Sequence, residues 1–252
     1  MSDAAIRRPT FGPWQAMAAF IVMWIAALAI GPVVRTMIQP HGGFTDPRDI
    51  IAFRLAAGLP FSWLALGGTL LILRLRGKRL SDIGWGRPAS IWGWIAAALV
   101  VSFFLISSFR GPACHGLCFI DPKAWLSDWS LFRIATSVAI GVTAGICEET
   151  AFRGFVMSEA RDGGAPLPVQ VLMAGALFGL AHAGIAGLSG RFDPTAAISI
   201  VASTTVFGVL FAIVYLLGRR SLTPVIVAHG IFAFTTEPWM LLWGLAKTMH
   251  GH

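Results

Sequence analysis

The chain has 252 residues, of which 56% are hydrophobic and only 12% are charged. Because soluble domains average about 25% charged residues, this composition excludes a cytosolic globular enzyme, a disordered chain and a disulfide scaffold. The net charge of +7 lies in short loops between apolar segments, where basic side chains bind anionic membrane lipids, so nucleic acid is excluded as a partner.

Seven apolar runs have about the 20 residues that a transmembrane helix needs, which predicts an all-α polytopic bundle of seven to eight spans. In chain order the runs cover residues 11–34, 51–73, 91–108, 131–147, 167–187, 196–217 and 224–245. The first run is longer than the apolar core of a signal peptide, about 7–15 residues, so we expect it to stay as a span. Three spans form an N-terminal unit, residues 1–130, and the others form a second unit, residues 131–246.

The loop between the second and third runs is strongly basic, which is typical of the cytoplasmic side. Its cations are Arg74, Arg76, Lys78, Arg79 and Arg87. Alternation of the spans then predicts an inner-membrane protein with a cytoplasmic N-terminus and an outer C-terminus. Cys114 and Cys118 fall on an outer loop, where a disulfide and a metal clip with His115 are alternatives to a plain structural loop.

The fourth run ends in ionisable residues, which are costly in lipid and usually mark function. Glu148 and Glu149 are adjacent, and Arg153 follows four residues after Glu149. Because residues four apart share a helix face, we expect a buried Glu149–Arg153 ion pair. Glu148 is turned about 100° away around the helix axis and must find its partner across the bundle.

Two histidines lie in later runs, His182 on the same helix face as Phe178, and His229 in the seventh run. A carboxylate and two imidazoles that meet in an apolar cavity can hold and deprotonate one water and stabilise an oxyanion. This set predicts hydrolysis of a peptide or ester bond inside the bilayer. The three residues lie at different depths along straight helices, so their meeting requires tilt or a break at Pro224.

Three polar motifs follow one another on hydrophobic runs: Glu148-Glu149-x-x-x-Arg153, Phe178-x-x-x-His182 and His229. In this order they resemble the CAAX protease and bacteriocin-processing family, integral-membrane proteases also called intramembrane glutamic endopeptidases. The resemblance covers about residues 131–245.

The resemblance implies a role for each matching residue. Glu148 would activate a water with the assistance of His182, and His229 would stabilise the oxyanion. Glu149 and Arg153 would form the supporting pair. The substrate would be a peptide or protein, and no cofactor would be required.

The third motif departs from the family pattern, which has Asn or Asp four residues after the histidine. This position is Ala233, and the chain contains no asparagine. Thr236 lies one turn later on the face of His229, and we hypothesise that its hydroxyl substitutes. Since the loss of one oxyanion donor costs about 10²–10³ in rate, reduced activity is part of the prediction.

Four other functions stay open. Glu148, His182 and His229 imitate the ligands of a zinc metalloprotease, although the His-Glu-x-x-His helix is lacking. A thiolate nucleophile at Cys147 is disfavoured by apolar surroundings. Buried Glu and His also serve proton-coupled transporters. The missing Asn keeps a non-catalytic protease-like scaffold or immunity protein among the alternatives. Nothing in the sequence indicates the oligomeric state.

Overall fold

The computed structural model describes residues 11–37, 46–110, 130–187 and 194–236. These parts of the chain fold into seven helices, and no strand occurs among them. The helices are α1 (Pro13–Met37), α2 (Pro47–Leu75), α3 (Ile91–Arg110), α4 (Leu131–Asp162), α5 (Leu167–Ala181), α6 (Pro194–Leu217) and α7 (Thr223–Thr235). Single 3₁₀ turns cover Leu80–Ile83 and Ala183–Gly187.

Five of the helices, α2 to α6, are long and apolar enough to cross a membrane, which confirms a multi-pass membrane protein. In α1 the stretch Pro13–Ala27, and in α7 the whole helix Thr223–Thr235, are apolar but shorter. The count of seven spans is therefore not established. Residues 237–245 of the last predicted run, and Cys114 and Cys118, lie outside the described residues.

The fourth predicted run was wrong at its C-terminal boundary, because the helix continues beyond Cys147 to Asp162. Apolar side chains sustain the helix after the two glutamates, since Phe152, Phe155 and Val156 are all buried. Ser130 caps the N-terminus, where its hydroxyl accepts the N–H of Arg133 at 3.2 Å. In the most apolar part of α4, half of the residues are buried, a larger share than in the other candidate spans. Helix α4 is thus the central helix of the bundle.

Helix α4 is not α-helical throughout. It widens to π-helical turns at Ala144–Glu148 and again at Thr150–Val156. In a π turn each N–H bonds to the carbonyl five residues earlier, a geometry that is rare and is frequently found at functional sites. Glu148 is the last residue of the first π-helical stretch, and Glu149 lies between the two stretches.

Glycines bring α4 very close to α7. A Cβ added to Gly145 would lie 2.7 Å from the carbonyl oxygen of Ile226, and one added to Gly141 would lie 2.7 Å from that of Gly230. Helices α5 and α6 approach in the same way, because a Cβ on Gly179 would lie 2.7 Å from a backbone carbonyl of α6. Small residues permit such contacts between membrane helices. The helices that carry the predicted site residues are therefore packed backbone to backbone.

Aromatic side chains attach α1 to α4 on another side. The ring of Phe20 stacks on that of Phe155 with centroids 5.2 Å apart, and it meets Phe152 edge-on at 5.9 Å. Trp24 adds a contact with Phe152 at 5.0 Å. These rings form the core between α1 and the C-terminal half of α4.

Ion pairs fix the two ends of α4, one end to the residues that follow α2 and the other to the start of α2 and the residue before it. The Glu159 cluster consists of Glu159, Arg76, Lys78 and Asp162: the fully buried Glu159 carboxylate bonds Arg76 at 3.0 Å and Lys78 at 2.5 Å, and Lys78 also pairs with Asp162 at 2.6 Å.

At the opposite end, Arg133 pairs with Asp49 at 2.7 Å and Asp46 at 2.8 Å. Helix α4 is thus held at both ends while its middle is distorted.

Candidate active site

The Glu149–Arg153 pair expected from the sequence is present, with Nη1 of Arg153 2.9 Å from Oε1 of Glu149 and both side chains fully buried. Nη2 of Arg153 donates to the carbonyl oxygen of Gly208 on α6 at 3.2 Å. The guanidinium lies 4.5 Å above the ring of Phe178 and 5.6 Å from that of Phe211. A buried cation is tolerated here because a carboxylate, a carbonyl and two aromatic faces surround it.

Glu149 has a second partner that the sequence did not reveal. Its Oε1 lies 2.6 Å from Nδ1 of His229. Since an ionised carboxylate can only accept, Nδ1 of His229 donates, and Nε2 is directed to the other side of the ring. No spacing rule could have predicted this contact, because the two residues lie 80 positions apart on α4 and α7.

His182 is oriented by its own helix. It is the C-cap of α5, and its Nδ1 lies 2.8 Å from the carbonyl oxygen of Phe178, to which it donates. The ring nitrogen that remains, Nε2, lies 3.7 Å from Oε2 of Glu148. The shared face of Phe178 and His182 is therefore used for a backbone hydrogen bond that sets the direction of the imidazole.

Glu148 faces both imidazoles, which places the three predicted residues together despite their different depths. Its Oε2 lies 3.7 Å from Nε2 of His182 and 4.0 Å from Nε2 of His229. These distances exceed a direct hydrogen bond and suit a bridging water. Within the described part of the chain, this buried Oε2 has no hydrogen-bond partner.

Accessibility falls steadily across the site. The side chain of Glu148 is 19% exposed and that of His182 is 11% exposed, whereas that of His229 is 3% exposed. Glu149 behind them is fully buried. Among the described residues of the site, Glu148 and His182 are therefore the most accessible to a substrate.

Three phenylalanines enclose the imidazole of His229. Ring centroids lie 5.8 Å from Phe178, 5.1 Å from Phe207 and 5.5 Å from Phe211. Phe207 and Phe211 were not predicted as part of the site, although their spacing of four on an apolar helix was a usable signal. The apolar wall lowers the local dielectric and so strengthens every charge interaction of the site.

Position 233, where the family pattern has Asn or Asp, also lacks a polar side chain in the structure. Ala233 is fully buried and offers no side-chain donor. The hydroxyl of Thr236 donates to the carbonyl oxygen of Phe232 in its own helix at 2.7 Å. The hypothesis that Thr236 replaces the Asn therefore stays untested and requires its hydroxyl to leave that carbonyl.

Metal ligation is the other role considered for these residues. Across the described ranges, no group of three His, Cys, Asp or Glu side chains could hold a metal ion. Cys147, next to Glu148, is a fully buried free thiol. The arrangement as it stands provides one partly accessible carboxylate, two oriented imidazoles and a buried ion pair behind them.

Comparison with known families identifies the same part of the chain. Residues 129–235 match the family described as type II CAAX prenyl endopeptidase Rce1-like, a stretch that runs from the start of α4 to the end of α7. The match confirms the resemblance drawn from the three motifs. No curated protein and no solved structure matches the chain significantly.

Proposed function

We propose that this chain, a multi-pass membrane protein that matches the Rce1-like endopeptidases over residues 129–235, is an intramembrane peptidase in which Glu148 activates a water. The observation that carries the proposal is the position of Oε2 of Glu148, 3.7 Å and 4.0 Å from the Nε2 atoms of His182 and His229. One water can bond to all three atoms at these distances.

In the first step the Glu148 carboxylate takes a proton from this water, and the resulting hydroxide attacks the carbonyl carbon of the scissile peptide. The C=O double bond becomes a single bond to an oxyanion. In this scheme Glu148 and Glu149 are both ionised before the reaction, and the Arg153 cation balances one of the two negative charges. A protonated His229 balances the other. The N–H at Nε2 of His229 can then donate to the oxyanion.

In the second step the oxyanion re-forms the carbonyl and the C–N bond breaks. The proton held by Glu148 passes to the leaving amine, either directly or through Nε2 of His182. The products are a carboxylic acid and an amine, and the site returns to its starting protonation. No metal or other cofactor takes part in this scheme.

Glu149 and Arg153 act through other residues. Glu149 accepts from Nδ1 of His229 at 2.6 Å and so fixes the orientation of the ring, as a carboxylate partner does for the histidine of a hydrolytic triad. Arg153 holds Glu149 in place through their 2.9 Å bond.

We further propose an inner-membrane location with the N-terminus and the basic loop after α2 in the cytoplasm.

The test uses the purified full-length protein in detergent and a fluorogenic peptide that ends in a prenylated cysteine followed by three residues. The same peptide with a free thiol shows whether the lipid is needed. Glu148→Gln removes the base while keeping the shape, and we expect a loss of about 10²- to 10⁴-fold in kcat/KM. Asp162→Asn, a surface carboxyl on the same helix, is the matched control and should retain activity. Identical product from wild type and Glu148→Gln would contradict the mechanism.

The same preparation decides between the metal-free scheme and its alternatives. Stoichiometric zinc in the protein, with activity lost on chelation and restored by zinc, would replace the metal-free scheme by a metalloprotease. The buried alanine at position 233 supports a second candidate, a non-catalytic protease-like scaffold that binds peptides. Binding of both peptides without cleavage by wild type would favour that scaffold.

A further inference from the structure

Two tryptophans donate hydrogen bonds to α4 on either side of the paired glutamates. Nε1 of Trp63 in α2 donates to Oγ1 of Thr143 at 3.1 Å, and Nε1 of Trp85, just after the 3₁₀ turn Leu80–Ile83, donates to Oγ1 of Thr150 at 3.1 Å. The two threonines are buried, with exposures of 4% and 1%.

These contacts occur just before the first π-helical stretch and at the first residue of the second. Thr143 is the last α-helical residue before Ala144–Glu148, and Thr150 directly follows Glu149. The bonds therefore bracket the segment that carries both carboxylates.

Several threonine hydroxyls elsewhere in the described bundle bond to their own helix, which is common for this side chain within helices. Thr69 donates to Ala65 at 2.8 Å, and Thr204 donates to Ile200 at 2.6 Å. At Thr143 and Thr150 the hydroxyl instead accepts a donor from another segment. The hydroxyls of Thr143 and Thr150 therefore link α4 to its neighbours instead of bonding to carbonyl groups of α4 itself.

The π-helical part of α4 can change its register, so links to neighbouring segments can stabilise it. A π turn contains one residue more than an α turn, and it can relax to α by a shift of one residue in the helix register. One residue corresponds to about 100° of rotation around the axis. A rotation of that size would turn Glu148 away from His182 and His229.

We propose that Trp63 and Trp85 are positioning residues, whose indole N–H groups hold the π-helical segment in the register that directs Glu148 to the two histidines. This inference rests on the proposed function of Glu148. Neither tryptophan contacts the reacting atoms in this scheme.

Trp85 is itself firmly held. The residue before it, Gly84, has a φ of +106°, and its carbonyl accepts the N–H of Leu222 at 3.2 Å. The hydroxyl of Tyr215 donates to the carbonyl of Ile83 at 3.1 Å. The loop that carries Trp85 is thus fixed to the turn between α6 and α7, so it provides a rigid anchor for α4.

The experiment is a double-mutant cycle on Trp85 and Thr150 in the full-length protein, with the fluorogenic prenylated peptide as the probe. Trp85→Phe removes the N–H, and Thr150→Val removes the acceptor at constant shape. Each should lower kcat about 5- to 10-fold, the rate equivalent of one hydrogen bond, and leave KM within about twofold. The double variant should lose no more than either single variant.

Two further variants separate positioning from general damage. Thr150→Ser keeps the hydroxyl and should stay within about twofold of wild-type kcat. Trp63→Phe should behave like Trp85→Phe, whereas Trp92→Phe, at a position 65% exposed on α3, should change nothing. Additive losses in the cycle, a matching loss in Thr150→Ser, or unchanged kcat in Trp85→Phe would overturn the inference while leaving the peptidase assignment intact.

Amide hydrogen exchange of residues 144–150 provides a readout that does not depend on turnover. Trp85→Phe and Thr150→Val should increase exchange in this segment and leave α6 at the wild-type level. If wild type cleaves no peptide, the proposed function fails and exchange alone decides: raised exchange supports the positioning role, and unchanged exchange overturns it.

Discussion

Replacement of Gly145 by alanine tests whether the close contact of α4 and α7 assembles the site. The added Cβ would lie 2.7 Å from the carbonyl oxygen of Ile226, against about 3.4 Å for an ordinary contact, so the two helices must separate by about 0.7 Å. Glu148 lies on α4 and His229 on α7, with 4.0 Å between their polar atoms. Because a misplacement of about 1 Å costs roughly 10²-fold in rate, we expect kcat/KM to fall about 10- to 100-fold.

Stability and a matched control complete this experiment. Overpacking typically lowers the free energy of unfolding by about 1–3 kcal/mol. The better helix propensity of alanine offsets up to about 1 kcal/mol of this loss. The melting temperature in detergent should therefore fall modestly. Gly67→Ala in α2 is the control, because its Cβ would meet no atom within 4 Å. Equal rates and equal melting temperatures for the two variants would refute the idea that the contact sets the site geometry.

Three further experiments test individual interactions. Glu149→Gln leaves buried Arg153 without its carboxylate and should destabilise the protein by about 3–5 kcal/mol in thermal unfolding, whereas adding Arg153→Met should recover stability but not activity. Glu159→Gln should lower the free energy of unfolding by about 3 kcal/mol, because Glu159 is fully buried. Asp162→Asn should lower it by less than about 1 kcal/mol, because the Asp162 side chain is 29% exposed. Equal losses in the two variants would contradict this expectation. Thr236→Val should leave kcat within about twofold because the hydroxyl donates to its own helix, and a tenfold loss would instead support Thr236 as a substitute donor.

Much of the helical architecture follows from the sequence because burial in lipid demands long apolar runs. The starts of α3, α5 and α6 lie within two residues of the predicted runs. The fourth apolar run was ended at Cys147 because Glu148 and Glu149 follow it, although the expected Glu149–Arg153 pair already required the helix to continue. Partners on other helices allow these carboxylates to lie inside a span that extends to Asp162. A single run of residues does not show which partners will meet it.

The sequence predicted the local Glu149–Arg153 pair and the meeting of Glu148 with His182 and His229, but not the other contacts between residues far apart in the chain. The i, i+4 spacing was sufficient for the Glu149–Arg153 pair. The bond between Glu149 and His229, and the two tryptophan contacts on α4, join residues 65 to 80 positions apart, so no periodicity predicts them. The π-helical turns are equally invisible, since they depend on what packs around α4.

The attachments of α4 have a consequence for dividing this protein into parts. Described contacts that cross from α2 and its flanking residues into the family-matched stretch include the Glu159 cluster, the ion pairs of Arg133 with Asp46 and Asp49, the Trp63–Thr143 bond and the Trp85–Thr150 bond. A fragment excised at residue 129 would leave the Glu159 carboxylate without Arg76 and Lys78, and it would leave Arg133 without Asp46 and Asp49. It would also remove the indole donors of Thr143 and Thr150. The minimal working unit therefore includes the preceding helices, and co-expressing the two halves should succeed only where they reassociate.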